Sequence, residues 1–192
     1  MKVVSRHVLD QIKQEALNTI KESKCRILIC AGTGCLAGGS GLIYEKMLEL
    51  AKDDNVEVEF GKDIACKGIH VKKSGCHGFC EMGPLMRIEP LGILYIKVKL
   101  SDCERIYEET IKKGIILEDL LYKQDGVVFA KQEEIPFYKR QTRLVLKNCG
   151  QIDAEHIEEA IAHDGYQALA KALFDMKPQD VIQVISDSNL RG

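Results

Sequence analysis

Two short cysteine pairs are the residues in this sequence whose type and spacing could do chemistry. Cys30 and Cys35 are separated by four residues, Cys76 and Cys80 by three, and each pair lies in a glycine-containing stretch. Two such pairs can each hold one iron of a two-iron cluster. Gly32, Gly34, Gly75 and Gly78 would let backbone N–H groups approach the anionic sulfurs and tune the potential. The same four thiolates would also satisfy one tetrahedral zinc ion, although zinc ribbons more often use two-residue spacers.

The other four cysteines lack such a neighbour. Cys25, Cys103 and Cys149 fall in or beside predicted regular elements and Cys66 stands apart from both pairs, so all four read as structural. His77 lies between two candidate ligands and could replace a thiolate, as histidine does in Rieske centres. The simpler reading keeps it as a supporting or exposed side chain. Gly32-Thr33-Gly34-Cys35-Leu36-Ala37 matches the G-x-G-x-x-A dinucleotide pattern, with Glu57 or Glu59 at about the expected distance of ~20 residues. That reading leaves the second cysteine pair unexplained and ranks below the cluster. Gly38-Gly39-Ser40 lacks the lysine of a phosphate-binding loop, and no paired-carboxylate or nucleophile–base arrangement emerges.

The elements that must position the pairs follow from periodicity. Leu9, Ile12, Ala16 and Ile20 repeat at helical intervals and predict a helix over residues 7–22. Residues 25–30 form a mostly apolar run that stops at Ala31-Gly32-Thr33-Gly34, as a strand entering a tight loop would. This places Cys30 at the strand end and Cys35 in the loop. A helix is predicted over 40–53 with Ser40 as its N-cap, and a half-exposed alternating strand over 56–60. The glycine- and cysteine-rich segment 73–84 reads as a second functional loop. Strands at 85–89 and 93–98 flank a Pro90-Leu91-Gly92 turn, and a helix follows over 102–113. Beyond Gly114 the expectation is a connecting segment over 117–129, a strand over 141–146, a helix capped by Asp153 and running through Ala162, and helices over 166–173 and 179–186.

The totals fit a soluble globular chain of 192 residues, 45% hydrophobic and 29% charged, with net charge -2. That balance gives no sign of a nucleic-acid surface. The charged residues scattered through the first 26 leave no signal-peptide core, and no apolar run approaches the ~20 residues of a membrane helix. A cytoplasmic protein without membrane insertion is the expectation. Eight cysteines in a reducing compartment favour metal or redox chemistry over a disulfide framework.

Cys30-Ala-Gly-Thr-Gly-Cys35 together with Gly75-Cys76-His-Gly-Phe-Cys80-Glu-Met-Gly-Pro84 resembles the thioredoxin-like [2Fe–2S] ferredoxin domain fused to NADH-binding flavoprotein subunits. Those subunits belong to bacterial NAD(P)-linked hydrogenases and to enzymes akin to the NADH-oxidising subunit of respiratory complex I. Pro136-Phe137-Tyr138 with Gln141, Lys147 to Asp153, Gly165-Tyr166 and Ser188 to Gly192 are similar to the opening of the family's flavoprotein domain.

The resemblance implies an α/β chain with a thioredoxin-like [2Fe–2S] ferredoxin domain over 1–125 and a mostly helical, incomplete flavoprotein segment over 126–192. It makes Cys30, Cys35, Cys76 and Cys80 the cluster ligands. The implied role is one-electron transfer at about −400 mV, with other redox subunits of an NAD(P)H-linked oxidoreductase complex as partners. The family's FMN loop, nicotinamide site and [4Fe–4S] region would follow Gly192, so FMN and NAD(H) are expected only in the complete protein or complex. A zinc-stabilised interaction module and a nucleotide-binding fragment are the other readings.

Overall fold

The computed structural model describes residues 3–22, 25–52, 57–59 and 65–191; for 57–59 and 65–67 it describes the backbone. The chain forms two compact units, one of residues 21–155 and one of residues 1–20 with 156–192.

The larger unit is built on β1 (Arg26–Cys30), whose Ile27, Leu28, Ile29 and Cys30 are all buried. A strand covered on both faces reads as a continuous apolar run, which is why this segment does not alternate. β1 pairs in parallel with β4 (His70–Ser74) and antiparallel with β5 (Met86–Glu89), which pairs antiparallel with β6 (Ile93–Tyr95). The sheet order is therefore β4–β1–β5–β6, the thioredoxin-like α/β arrangement expected above. Between β1 and β4 come two helices and a small antiparallel pair. The helices are α2 (Thr33–Ala37) and α3 (Ser40–Lys52), and the pair is β2 (Glu57–Glu59) with β3 (Ala65–Lys67). α3 buries Ile43 and Met47 against Ile27, Ile29, Ile88 and Tyr95. Val56 and Phe60 of the predicted second strand, and Asp53 at the predicted helix end, lie outside the described residues.

After β6 a 3-10 turn leads into α4 (Cys103–Arg105), which continues as a π-helical stretch over Ile106–Ile111. Thr110 sits in that stretch with its hydroxyl 2.7 Å from the Tyr95 hydroxyl and 2.8 Å from the Ile115 carbonyl. The Tyr95 oxygen also accepts the N–H of Leu117 at 3.0 Å. The segment treated above as a plain connection runs along β6, with Ile96 N–H donating to Leu120 and Leu94 N–H to Ala130. It includes a hairpin of β7 (Tyr122–Gln124) and β8 (Val127–Phe129), turning on Asp125 and Gly126 at φ 51° and 79°. Asp-Gly between β-formers is a signal for such a turn.

Three local expectations need correction. Ser40 is the first residue of α3 and is buried, and its hydroxyl has no hydrogen-bond partner, so it does not cap the helix; the turn of α2 delivers the chain instead. Residues 141–146 form no strand; Leu144, Val145 and Leu146 stand in solvent and no described strand lies alongside, so β propensity finds no ladder. Asp153 accepts the N–H of Glu155 at 2.9 Å and bridges to Ser74, and the next helix begins only after His156.

The smaller unit packs α1 (Arg6–Glu22) with α6 (Ile157–Ala162) and α7 (Gln167–Asp175) around Leu9, Ile12, Ile161 and Ala170. α8 (Pro178–Asp187) follows with no buried side chain. Among the described residues no helix is long and apolar enough to cross a membrane.

Candidate metal centre

Cys30 and Ser74 are register partners at the C-terminal ends of two parallel neighbouring strands. The loops that carry the two cysteine pairs therefore leave the sheet side by side, tied by the Ala31 N–H to the Ser74 carbonyl at 3.0 Å. The first loop becomes the short helical turn α2, with Cys35 at its third position rather than in irregular loop. The second runs from Gly75 through a 3-10 turn at Cys80–Met82 into the cis peptide Gly83–Pro84 and on to β5.

All four predicted ligands come together at this end of the sheet. The Cys76 and Cys80 sulfurs are 4.0 Å apart. A methyl group on Gly32 would stand 3.1 Å from the Cys76 sulfur, and one on Gly83 would stand 2.7 Å from that of Cys35. Each loop thus supplies a glycine that the other pair requires to be bare. Cys30 and Cys35 are buried, whereas Cys76 and Cys80 are exposed. Among the described residues, no group of three or more His, Cys, Asp or Glu side chains gathers around a single-ion position.

Electrostatics at the sulfurs follow from these neighbours. Cys30 is drawn down to about 6, first by its hydrogen bond with Cys35 and then by the backbone N–H groups of His77 and Gly32, against the opposing effect of burial. Cys35 is pushed well above the ordinary thiol range by its pairing with Cys30 and by burial, with the Leu85 N–H opposing. At Cys76 the Gly78 N–H, 3.3 Å from the sulfur, lowers the thiol, but burial and the neighbouring Cys80 and Cys30 leave it raised. Of the four glycines expected to bring amides to the sulfurs, Gly32 does so at Cys30 and Gly78 at Cys76, and the His77 amide joins Gly32 at Cys30.

His77 is fully buried and belongs to the loop's support. Its Nε2 is 2.8 Å from the Ser74 hydroxyl and its Nδ1 3.2 Å from Oε1 of Gln132, which also accepts from Arg87 at 3.1 Å. Burial lowers this imidazole to about 4, so it is neutral at physiological pH. Its carbonyl accepts a hydrogen bond from the Arg143 guanidinium. Phe79, between the two ligands of its loop, stacks on Phe137 at 4.5 Å and meets Tyr138 edge-on at 5.6 Å. Tyr138 lies in α5 (Pro136–Lys139) and packs in a buried group with Cys30, Cys35, Phe79 and Leu85. Its hydroxyl is buried without a hydrogen-bond partner.

Gln132, Tyr138 and Arg143 were not singled out from the sequence as site residues. Only Tyr138 carried a signal, as part of the likeness to the flavoprotein opening. Of the cysteines set aside, Cys25 is buried and disulfide-bonded, Cys103 is buried with its thiol pushed up to about 11 by burial, and Cys149 lies beside Gly75. The side chain of Cys66 lies outside the described residues. The glycines of the G-x-G-x-x-A match face cysteines: Gly32 abuts Cys76, and a methyl on Gly34 would be 3.5 Å from Cβ of Cys80.

No family profile matches the chain. Over 54 residues it is 46% identical to the NADP-reducing hydrogenase subunit HndC of Solidesulfovibrio fructosivorans, which is 28% of this chain and 11% of that protein. Among solved structures, the thioredoxin-like [2Fe-2S] ferredoxin from Aquifex aeolicus aligns with 52% of this chain and 97% of its own, at 22% identity and a TM-score of 0.43. Over 100 residues the chain is 30% identical to the 2Fe-2S ferredoxin of Clostridium pasteurianum, covering half of this chain and 94% of that protein. With that relative covered almost end to end, the chain belongs to the [2Fe–2S] ferredoxin family.

Proposed function

We propose that Cys30, Cys35, Cys76 and Cys80 hold a [2Fe–2S] cluster through which this chain passes single electrons. The observation that carries the reading is the convergence of two cysteine pairs from the ends of two parallel strands. The donor set fits the group: four sulfurs in two pairs, met by loop amides, with bare glycines where the pairs cross. A bound cluster of this kind takes up and releases one electron. The chain's own residues hold it, temper its negative charge with the N–H groups of Gly32, His77 and Gly78, and fix the second loop through His77.

The finer reading places the chain in an NAD(P)H-linked oxidoreductase of hydrogenase or NADH-dehydrogenase type, with other redox subunits as partners. The identity shared with a hydrogenase subunit supports it. In that reading residues 1–125 are the ferredoxin domain and 126–192 the start of a flavoprotein domain. FMN and NAD(H) then belong to the complete protein or complex, where a flavin divides a hydride's two electrons.

Anaerobic purification followed by iron, sulfide and zinc analysis with a visible spectrum is the test. About two irons and two sulfides per chain are expected. A colourless chain carrying stoichiometric zinc would overturn the reading.

A further inference from the structure

Buried hydroxyl groups are hydrogen-bonded as a rule, and an exception needs an explanation. Tyr138 is such an exception beside the cysteines: its residue is 9% exposed and its hydroxyl has no partner within the chain. The side chain has little freedom to find one. Its ring packs in the buried group that contains Cys30, Cys35 and Leu85, meets Phe79 and Phe137 edge-on at 5.6 and 5.2 Å, and carries the Arg143 guanidinium 5.2 Å from its centroid.

The packing around the phenol names the missing partner. Cys30 and Cys35 of the first pair share its buried group, and so does Phe79, which lies between Cys76 and Cys80 of the second pair. Tyr138 therefore packs against both cysteine loops. An O–H bond beside anionic sulfur is a donor with an acceptor of the right sign, and a guanidinium over the ring polarises that bond towards donation.

We propose that the Tyr138 hydroxyl donates a hydrogen bond to sulfur of the [2Fe–2S] centre and raises its reduction potential. The inference rests on the cluster reading above. Adding an electron increases the negative charge on the sulfurs, so a fixed donor favours the reduced state more than the oxidised one. Arg143 supports this from behind the ring, and its link to the His77 carbonyl joins α5 to the second cysteine loop.

The test compares the wild-type chain with Tyr138→Phe, and with 3-fluorotyrosine placed at position 138 as a nearly isosteric, stronger donor. Iron and sulfide content is measured first, then midpoint potential by anaerobic titration, then iron–sulfur stretching frequencies in H2O and D2O. The phenylalanine variant should keep its iron and sulfide, shift to a more negative potential and lose part of the deuterium sensitivity. The fluorotyrosine variant should shift the other way. Should the phenylalanine variant fail to load, the fluorotyrosine variant decides: a positive shift supports the assignment and an unchanged potential overturns it. A loaded phenylalanine variant with wild-type potential and deuterium sensitivity also overturns it. A wild-type chain without iron and sulfide rejects the underlying cluster reading, a result distinct from a loaded chain whose potential ignores position 138.

Discussion

The ring of His77 fills the space where a side chain on Gly150 would stand: a methyl group there would lie 2.8 Å from both Cγ and Nδ1 of the imidazole. Gly150 is also at φ 79°, where a side chain is strained in any case. The turn at 149–150 therefore closes over a histidine already held by Ser74 and Gln132, and that histidine sits between Cys76 and Cys80 in sequence.

Gly150→Ala should destabilise the larger unit by roughly 1–3 kcal/mol, the usual range for backbone strain of this kind. Cluster retention should fall with it, because His77 can relieve the clash only by leaving its two partners. Denaturant unfolding and iron per chain measure the two effects. Wild-type values for both would show that the turn does not brace the loop.

Serine at any one of Cys30, Cys35, Cys76 or Cys80 should lower iron and sulfide content sharply, since loss of a thiolate opens one iron and couples metal loss to local unfolding. Cys103→Ser should leave the content unchanged. That thiol is buried and contacts the Lys99 carbonyl at 3.8 Å, in a packing role. A full cluster after substitution of one of the four would remove that residue from the ligand set.

The four candidate ligands were legible because each pair is local in sequence and sits in a glycine-bearing loop after a predicted strand. β1 and the hairpin of β5 and β6 were legible for a similar reason, since periodicity and turn residues act over short distances. The expected strand over 56–60 instead falls in the separate pair of β2 and β3, and the parallel partner of β1 is β4, which carries no alternating apolar pattern. What escaped depends on contacts distant in sequence. Nothing local in residues 141–146 announces that Arg143 turns to the His77 carbonyl, so an apolar stretch read as a strand. Gln132 looks like any polar surface residue until the fold brings it to His77 and Arg87. Asp125-Gly126 does carry a local turn signal, but the strands it joins are three residues each, too short for alternation to mark them.

Gly83→Ala should weaken cluster binding by roughly 10–100-fold, the range typical of changes just outside the ligands. A methyl there meets the Cys35 sulfur at 2.7 Å and the Cys80 carbonyl at 3.2 Å, so it displaces one ligand from each pair. Gly39→Ala makes a useful contrast, since its added methyl would meet nothing within 4 Å although φ is 93°. It should cost folding stability without selectively lowering cluster affinity. Equal cluster affinities in the two variants would argue against the close packing of Gly83 on the site.

Tyr95→Phe should cost about 1–3 kcal/mol through the unmet Leu117 N–H and Thr110 hydroxyl. The loss lies on the side of the sheet that carries the π-helical stretch, so cluster content in folded protein should hold. Thermal or denaturant unfolding gives the first quantity and iron analysis the second. A stability within error of wild type would mean that these groups find other partners.

This chain should bind neither FMN nor NADH stoichiometrically at micromolar concentration. A dinucleotide loop needs its glycines bare so that pyrophosphate can reach the backbone and the N-terminus of the following helix. Here the corresponding glycines are bare for cysteine: Gly32 faces Cys76, Gly34 faces Cys80, and the helix that follows is only the five-residue turn Thr33–Ala37. A phosphate at that position would have to displace the second cysteine loop, which His77 anchors through Ser74 and Gln132. Isothermal calorimetry with each nucleotide, on cluster-loaded and cluster-free protein, checks this directly. Stoichiometric micromolar binding to the cluster-free chain that disappears on loading would show that nucleotide and cluster compete for the same glycines. It would restore the nucleotide reading of Gly32 and Gly34.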